Sequence, residues 1–321
     1  MNTNILDRYF NIYLKMKNRR ENTIKTYKYN MNQFYDYFSE VLHTDNEIEL
    51  LKKITNDMIE DYIEYLLLEK KYSASSMNNK IKTWKSFYQY VCVNKKIIEA
   101  NPIDGLPQVS ESQSTKEKKD KEILTPDELE KVLECSYNKL EGERMFHLCS
   151  TRDRFIMAFT YTTGSRIEEI LQAEFPWLEK IEDGYMINIP STLVKNKIDK
   201  RLPITGKVLK YFNEYLIERS SLKKIKDEDI IILSSKGRKV TTKDCNESLE
   251  KLLKKAEINK HITSHCGRHY FSTILTSRGD VSENIINRIG GWKMEGIKNN
   301  FYCHDEAFDN EKIRVCNSLL S

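Results

Sequence analysis

The feature that most constrains the fold is a polar break between two regions of regular apolar patterning. From Gly105 to Glu122 the sequence reads GLPQVSESQSTKEKKDKE and carries no periodic apolar residue. Segments of this kind connect units that fold separately. With 321 residues in total, the chain is long enough for two domains that each bury a core. We therefore predict a helical domain over 1–106, a linker over 107–122 and a second domain over 123–321.

Apolar residues before the break recur at steps of three and four, which is typical of helices with one buried face. The first such stripe comprises Ile24, Tyr27, Met31, Phe34 and Phe38. Two further stripes follow Asp57 and Ser75 or Ser76. We predict a helical bundle with caps near Asn22 or Thr23, at Asp57, and at Ser75 or Ser76. Its aromatic residues are expected in the core, and Asn101-Pro102 is expected to end the last helix.

The region after the break mixes helices with a short hairpin. Thr125-Pro126-Asp127-Glu128 has the cap, proline and glutamate of a sharp helix start, and a later helix is expected to end at Thr163-Gly164. Residues 185–189 and 201–204 have the pattern of strands on either side of a polar turn over 195–200. The predicted fold class is mainly α with a small antiparallel sheet.

Composition excludes several classes of protein. Seven scattered cysteines include no C-x-x-C pair, which favours a reducing compartment and argues against a zinc site. No apolar run has the length of a membrane span, and the N-terminus lacks the pattern of a signal peptide. We expect a cytoplasmic protein without a membrane partner. No P-loop or dinucleotide-binding glycine motif occurs.

Basic residues cluster near the start, although the net charge is only +4. Glu21 is the single acid among them, so one surface would carry a positive field able to follow a phosphate backbone. A solvated helix face is the better explanation of such a run when it is considered alone. The candidate DNA-binding residues of this cluster are Lys15, Lys17, Arg19, Arg20, Lys25 and Lys28.

Three separated motifs carry candidate chemistry. Thr163-Gly164-Ser165-Arg166 places an arginine where a turn opens onto a helix, a natural position for a phosphate. His265 and Arg268 lie three residues apart, so a helix would present both on one face. Gly290-Gly291-Trp292 precedes Tyr302 near the C-terminus. Each motif alone has an ordinary explanation, such as a surface ion pair of Arg166 with Glu169 or a tyrosine that only packs.

Their order and spacing together resemble the tyrosine recombinase family of the phage integrase type. The shared pattern is T-G-x-R-x-x-E, a basic hairpin, H-x-x-R-H, a glycine-rich segment with an aromatic residue, and Y-x-H. The resemblance covers the whole chain. The first part resembles that family's helical, SAM-like core-binding domain, including Thr23 to Tyr27 and the closing Asn101-Pro102.

The resemblance implies a role for each matching residue. Tyr302 matches the nucleophile that forms a 3′-phosphotyrosyl bond, and Arg166 and Arg268 match the arginines that hold the phosphate oxygens. His265 matches a proton-transfer and hydrogen-bonding partner. Glu169 matches an acidic residue that steadies the site.

The hairpin and the aromatic position depart from the family pattern. Lys195 has the best spacing for the lysine that protonates the leaving 5′-oxygen, and Lys197 is the alternative. Trp292 takes the place of a histidine or tryptophan, ten residues before the tyrosine instead of nine. Cys266-Gly267 stands where Asp-Leu is commoner. We also assign Lys197 and Arg201 to DNA contact.

The chemistry implied by the resemblance requires neither a metal ion nor another cofactor. Two arginines supply the positive charge that a phosphodiester needs in its transition state. The covalent bond to tyrosine conserves the energy of the broken phosphodiester, so rejoining needs no ATP. The implied partners are double-stranded DNA attachment or recombination sites, bound by four copies of the chain on two duplexes.

Three alternative functions and two arrangements of the C-terminus remain open at this stage. A type IB topoisomerase or a telomere resolvase would share the chemistry, and a non-catalytic DNA-binding protein could retain the scaffold. The apolar end that contains Val315, Leu319 and Leu320 could dock on a neighbouring subunit, as in similar family members, or fold back onto its own domain.

Overall fold

The computed structural model describes residues 4–110, 122–137, 146–194, 199–292 and 306–320. The chain divides into two compact units, Met1–Glu117 and Lys118–Ser321. This division lies inside the segment that the sequence predicts as a linker. No helix in the described part of the chain is both long and apolar enough to cross a membrane.

The first unit is a bundle of helices. Its α-helices are α1 (Ile5–Arg8), α2 (Leu14–Met16), α3 (Glu21–Leu42), α4 (Glu47–Lys53), α5 (Asn56–Leu68) and α6 (Ala74–Gln89). Two π-helical segments, Tyr9–Tyr13 and Tyr90–Lys95, continue α1 and α6. The predicted helical domain is therefore confirmed in its secondary structure, which follows from three amphipathic stripes that can bury their apolar faces only against one another.

Aromatic residues form the core of this bundle. Phe34, Phe38 and Trp84 are no more than 1% exposed. The rings of Phe34 and Trp84 lie 5.0 Å apart, and Tyr37 stacks on Tyr62 at 4.1 Å. The prediction that these aromatics pack in the interior instead of stacking on bases is confirmed for these buried rings.

The observed caps lie two or three residues before the predicted ones. Helix α3 begins directly after Arg20, whereas the side chains of Thr55 and Ser73 cap α5 and α6. The predicted caps at Asp57 and at Ser75 or Ser76 are wrong because those residues already lie within the first turn. The apolar stripe marks where a helix meets the core, and a helix can begin a turn earlier.

Asn101-Pro102 does not end the last helix of this unit. The π-helical continuation of α6 ends at Lys95, and Lys96, its C-cap, adopts a left-handed conformation with φ of 53°. The carbonyl of Pro102 accepts a hydrogen bond from Asn56 at 2.9 Å. Farther on, Asn78 both donates to and accepts from the backbone of Val109. The start of the predicted linker is thus bound to the first unit.

The second unit combines helices with one three-stranded sheet. Its α-helices are α7 (Pro126–Cys135), α8 (Phe146–Thr163), α9 (Ile167–Leu171), α10 (Gly206–Ser220), α11 (Thr242–Lys255), α12 (Cys266–Arg278), α13 (Glu283–Gly290) and α14 (Glu306–Asn317). Its strands are β1 (Leu178–Ile181), β2 (Gly184–Ile189) and β3 (Lys200–Ile204), preceded by the short 3₁₀ helix Phe175–Trp177. The predicted fold class, mainly α with a small antiparallel sheet, is confirmed.

Two predicted helix ends in this unit are confirmed. Thr125 and Glu128 form a reciprocal capping box at the start of α7, with proline at the first helical position. Helix α8 ends at Thr163, where Gly164 follows with φ of +60°. A Cβ on Gly164 would lie 2.7 Å from the ring of Phe271. Only glycine therefore fits this turn without strain or a clash.

The sheet is larger than the predicted hairpin. Strands β2 and β3 pair antiparallel with Tyr185 opposite Ile204, as the hairpin prediction requires, and β1 adds a third strand along β2. Strand β3 starts at Lys200, a residue that the sequence analysis placed in the turn. Because alternate residues of a strand face the same side, Lys200 shares the buried side with Leu202 and Ile204.

The C-terminal helix folds back onto its own unit. Val315, Leu319 and Leu320 are buried in the same core cluster as α8 and the sheet. The hydroxyl of Thr205 donates to Asn317 at 2.9 Å. Of the two arrangements left open by the sequence, the single chain therefore adopts the one in which these residues dock on their own domain.

Candidate active site

The described parts of three motifs, around Arg166, Arg268 and Trp292, meet in the second unit. The structure describes Arg166, Glu169, His265, Arg268 and Trp292. Of the other predicted site residues, the nucleophile candidate Tyr302 and the hairpin lysines Lys195 and Lys197 lie outside the described residues.

Arg166 is fixed by the turn that connects α8 to α9. It occupies the N-cap position of α9, directly before Ile167. Its backbone N–H donates to Glu169 Oε2 at 3.1 Å and its Nη1 donates to Glu169 Oε1 at 2.9 Å. This is the pair that the ordinary interpretation of the motif predicts, but Glu169 is only 2% exposed. The pair is therefore part of the interior and not a surface ion pair.

Arg268 lies near the start of α12, and its side chain contacts the turn at Gly164. Its Nη1 donates to the carbonyl oxygen of Gly164 at 2.8 Å and also to that of Gly290. The buried Nη2 has no hydrogen-bond partner among the described residues. Burial, together with the nearby guanidinium of Arg166, lowers the pKa of Arg268 to about 10. A buried cationic donor without a partner is costly unless an anion binds to it.

Trp292 forms one wall beside Arg268. The guanidinium carbon of Arg268 lies 3.9 Å from the centroid of the Trp292 ring, within cation–π distance. The ring also stacks on Phe271 at 6.2 Å. A Cβ on Gly290 would overlap this ring, so position 290 accepts only glycine while the indole lies against its backbone. The glycine-rich motif thereby brings its aromatic residue to Arg268.

His265 occupies the N-cap position of α12, three residues before Arg268. Its side chain is exposed, and its carbonyl oxygen accepts from the backbone N–H of Arg268 at 3.2 Å. The imidazole makes no hydrogen bond to any residue that the structure describes.

Lys200 is a component that the sequence analysis did not assign to the site. Its Nζ donates to Glu169 Oε2 at 2.9 Å, and its side chain is only 3% exposed. The signal was the two-residue alternation, which places Lys200 on the same face of β3 as Leu202 and Ile204. Burial lowers the pKa of Lys200 to about 8, against the opposing effect of Glu169.

The charges of the pocket do not balance. Among the residues that the structure describes, Arg166 and Lys200 pair with one buried carboxylate, Glu169, whose charge also acts on Arg268. Burial alone would raise the pKa of Glu169, but Lys200 and then Arg166 outweigh it and hold the pKa below its usual value. Glu169 is therefore ionised at neutral pH, and the described side chains of the pocket carry an excess of positive charge. Such a pocket favours an anionic group such as a phosphate.

The predicted DNA-binding residues have different environments. The six predicted DNA-binding residues that lie in the first unit are all exposed, namely Lys15, Lys17, Arg19, Arg20, Lys25 and Lys28. Arg201, by contrast, donates to Glu179 and Asp309, and its side chain is only 17% exposed. Its charge is used to join β3 to β1 and α14, so the structure does not support the assignment of Arg201 to DNA contact.

Two family models together match most of the chain. The model described as the phage integrase family matches residues 122–307. A second model, the phage integrase N-terminal SAM-like domain, matches residues 6–95. The two matches lie on opposite sides of the polar break.

Relatives and solved structures agree with these matches. The tyrosine recombinase XerD of Staphylococcus epidermidis is 27% identical over 293 residues, which cover 90% of each chain. The XerH site-specific recombinase, solved in a post-cleavage complex with a palindromic difH substrate, has a TM-score of 0.63 at 20% identity and covers 84% of this chain and 72% of that one. A lambda integrase tetramer bound to a Holliday junction has a TM-score of 0.65 at 14% identity, covering 91% and 74%.

Proposed function

The chain belongs to the phage integrase family, and we propose that it recombines DNA site-specifically by cleaving and rejoining strands through a 3′-phosphotyrosyl bond to Tyr302. The relatives named tyrosine recombinases support strand cleavage and rejoining as the activity. The substrate would be double-stranded DNA that carries an attachment or recombination site.

The observation that carries this proposal is the pair of guanidinium groups in the pocket. Arg166 and Arg268 come from motifs about a hundred residues apart, and the turn at Gly164 connects them through a hydrogen bond of 2.8 Å from Arg268. The Nη2 of Arg268, which has no partner in the part of the chain that the structure describes, provides a donor for a non-bridging phosphate oxygen. Cations fixed before the substrate arrives stabilise the charge that develops during attack on phosphorus.

The proposed reaction proceeds by transesterification. The phenolic oxygen of Tyr302 attacks phosphorus, and its proton passes to a neighbouring group or to water, because a phenol with a pKa of about 10 is a weak nucleophile at neutral pH. The bond from phosphorus to the 5′-oxygen breaks, and Lys195 protonates that oxygen. His265, at the exposed entrance, hydrogen-bonds the phosphate. A 5′-hydroxyl then attacks the phosphotyrosine and restores the phosphodiester.

The activity is tested with a nicked DNA substrate that carries a candidate site. If cleavage next to the nick releases a short strand that diffuses away, rejoining is prevented and the covalent complex accumulates. A slower-migrating protein–DNA species that survives denaturation is the expected result. If no covalent species forms on DNA that the protein binds specifically, the alternative of a non-catalytic binding protein is favoured.

The roles of Lys195 and Lys197 are distinguished with a DNA substrate that carries sulfur in place of the 5′-bridging oxygen. Thiolate leaves without protonation, so this substrate should restore cleavage to Lys195→Ala. Lys197→Ala should cleave the oxygen and sulfur substrates in the same ratio as the unmodified protein. The opposite pattern of rescue would assign the general acid to Lys197.

We further propose that four copies act on two DNA duplexes, as the Holliday-junction complex of lambda integrase suggests. Light scattering on the protein mixed with a DNA site should then show a complex with the mass of four chains and two duplexes. A complex of one chain on one duplex that nevertheless relaxes supercoiled DNA would indicate a type IB topoisomerase instead. A strand-exchange product would appear only in the first case.

A further inference from the structure

Lys200 lies behind the two arginines and contacts both segments that hold them. It donates to Glu169, which in turn binds the side chain and the backbone of Arg166. On its other side, the Lys200 stem packs against Gly291. A Cβ on Gly291 would lie 2.9 Å from Lys200 Cε. Gly291 directly precedes Trp292, which stacks on Arg268.

We propose that Lys200 is a positioning residue for the cleavage reaction, which holds Glu169 in the orientation that aligns Arg166 and keeps the carboxylate away from Arg268. This inference rests on the proposed function. Without the ammonium, Glu169 would keep its charge with one partner fewer in the interior. The carboxylate could then leave its present contacts with Arg166 and turn toward Arg268, which would misalign the first guanidinium and neutralise the second.

Lys200 does not have the position of a group that touches substrate. Its side chain is 3% exposed, whereas that of Arg166 is 23% exposed. Both hydrogen-bonded neighbours of Glu169 Oε2, the Lys200 ammonium and the Arg166 backbone N–H, lie in the interior. Lys200 therefore acts through Glu169, and it differs in this respect from the lysine that protonates the leaving oxygen.

The charge state of Lys200 gives a pH dependence. The charged groups that act on it are Glu169, which favours its protonated form, and Arg268 and Arg166, which disfavour it. With a pKa of about 8, Lys200 loses its proton at mildly alkaline pH. Cleavage should therefore fall as pH rises through about 8. In the unfolded chain the pKa returns to its ordinary value near 10.5, so this group favours folding as pH rises between the two values. Unfolding through Lys200 cannot account for the loss.

The experiment compares Lys200→Met with Lys254→Met in single-turnover cleavage of the nicked substrate. Lys254 is the matched control because it pairs with Glu250 on the exposed face of α11, with its side chain 73% exposed. Lys200→Met should cleave roughly 10- to 100-fold more slowly, as expected when reacting groups are misplaced, and should bind DNA with unchanged affinity. Lys254→Met should match the unmodified protein in both.

Three further readouts distinguish positioning from filling space and from acid catalysis. Lys200→Met should lack the decline near pH 8. The 5′-bridging sulfur substrate should not rescue it, because Lys200 does not protonate the leaving group. The double variant Lys200→Met/Glu169→Gln should be less impaired than the two single variants combined, since it removes both charges of the pair. Cooperative melting of each variant confirms that it folds, and Lys200→Gln replaces the methionine variant if that one does not.

Several results would overturn this inference. One is an unchanged cleavage rate in Lys200→Met, and another is rescue of that variant by the sulfur substrate. The third is a pH profile of cleavage by the unmodified protein that shows no decline near pH 8. The unmodified protein is tested first for the covalent adduct. Its absence would contradict the proposed function, whereas normal cleavage by both the unmodified protein and Lys200→Met would contradict the role of Lys200 alone.

Discussion

Tyr302→Phe is expected to abolish strand cleavage and covalent attachment to DNA while leaving DNA binding almost intact. The substitution removes only the phenolic oxygen, which is the proposed nucleophile, and keeps the aromatic ring. Cleavage is measured on the nicked substrate by the appearance of the covalent species on a denaturing gel. Binding is measured on the same DNA by gel shift.

The neighbouring aromatic residue provides the matched control. Phe301→Leu changes the residue next to the nucleophile but leaves the phenol in place, so the covalent species should still form. A covalent species that persists in Tyr302→Phe would show that another residue attacks the phosphate. Loss of DNA binding in that variant would show that the substitution disturbs more than the chemistry.

Arg268→Ala should lower the rate of cleavage by roughly 10²–10³-fold, the usual cost of removing one preorganised group that stabilises transition-state charge. The side chain supplies both the unpartnered Nη2 and the hydrogen bonds to Gly164 and Gly290. Arg268→Lys keeps the positive charge without the planar fork and should recover only part of the rate. Single-turnover rates measured with enough protein to saturate the DNA distinguish slower cleavage from weaker binding.

Arg314→Ala is the control for the loss of one positive charge. Arg314 pairs with Glu311 on the exposed side of α14, with its side chain 55% exposed. Its removal should leave the cleavage rate unchanged. If Arg268→Ala melts cooperatively and cleaves as fast as the control, Arg268 does not hold the phosphate.

The sequence predicts best the parts of the site that depend on local geometry. His265 and Arg268 are three residues apart, and a single turn of helix places them at the same end of α12. The pairing of Arg166 with Glu169 follows from the same helical spacing. The motif spacing also predicts that distant segments meet, although only the structure gives the hydrogen bond from Arg268 to Gly164.

The sequence predicts less well the features that depend on strand pairing. Strand β1 has half-buried ends and an exposed middle, so it lacks the alternation by which β2 can be recognised. The sequence signal for the turn between β1 and β2 is Asp183-Gly184, where Gly184 has φ of +144°. Lys200 was missed for a related reason. A lysine beside a polar turn is usually solvated, and its burial depends on Glu169, thirty-one residues away in sequence.

The central claim is that Tyr302 forms a covalent bond with DNA, and mass spectrometry of the trapped complex tests it most directly. After incubation with the nicked substrate, the complex is digested with nuclease and protease. The account predicts that the peptide containing Tyr302 carries a 3′-linked nucleotide on the tyrosine oxygen, and that this peptide is unmodified in Tyr302→Phe. A nucleotide on any other residue, or a complex that dissociates on denaturation, would contradict the account.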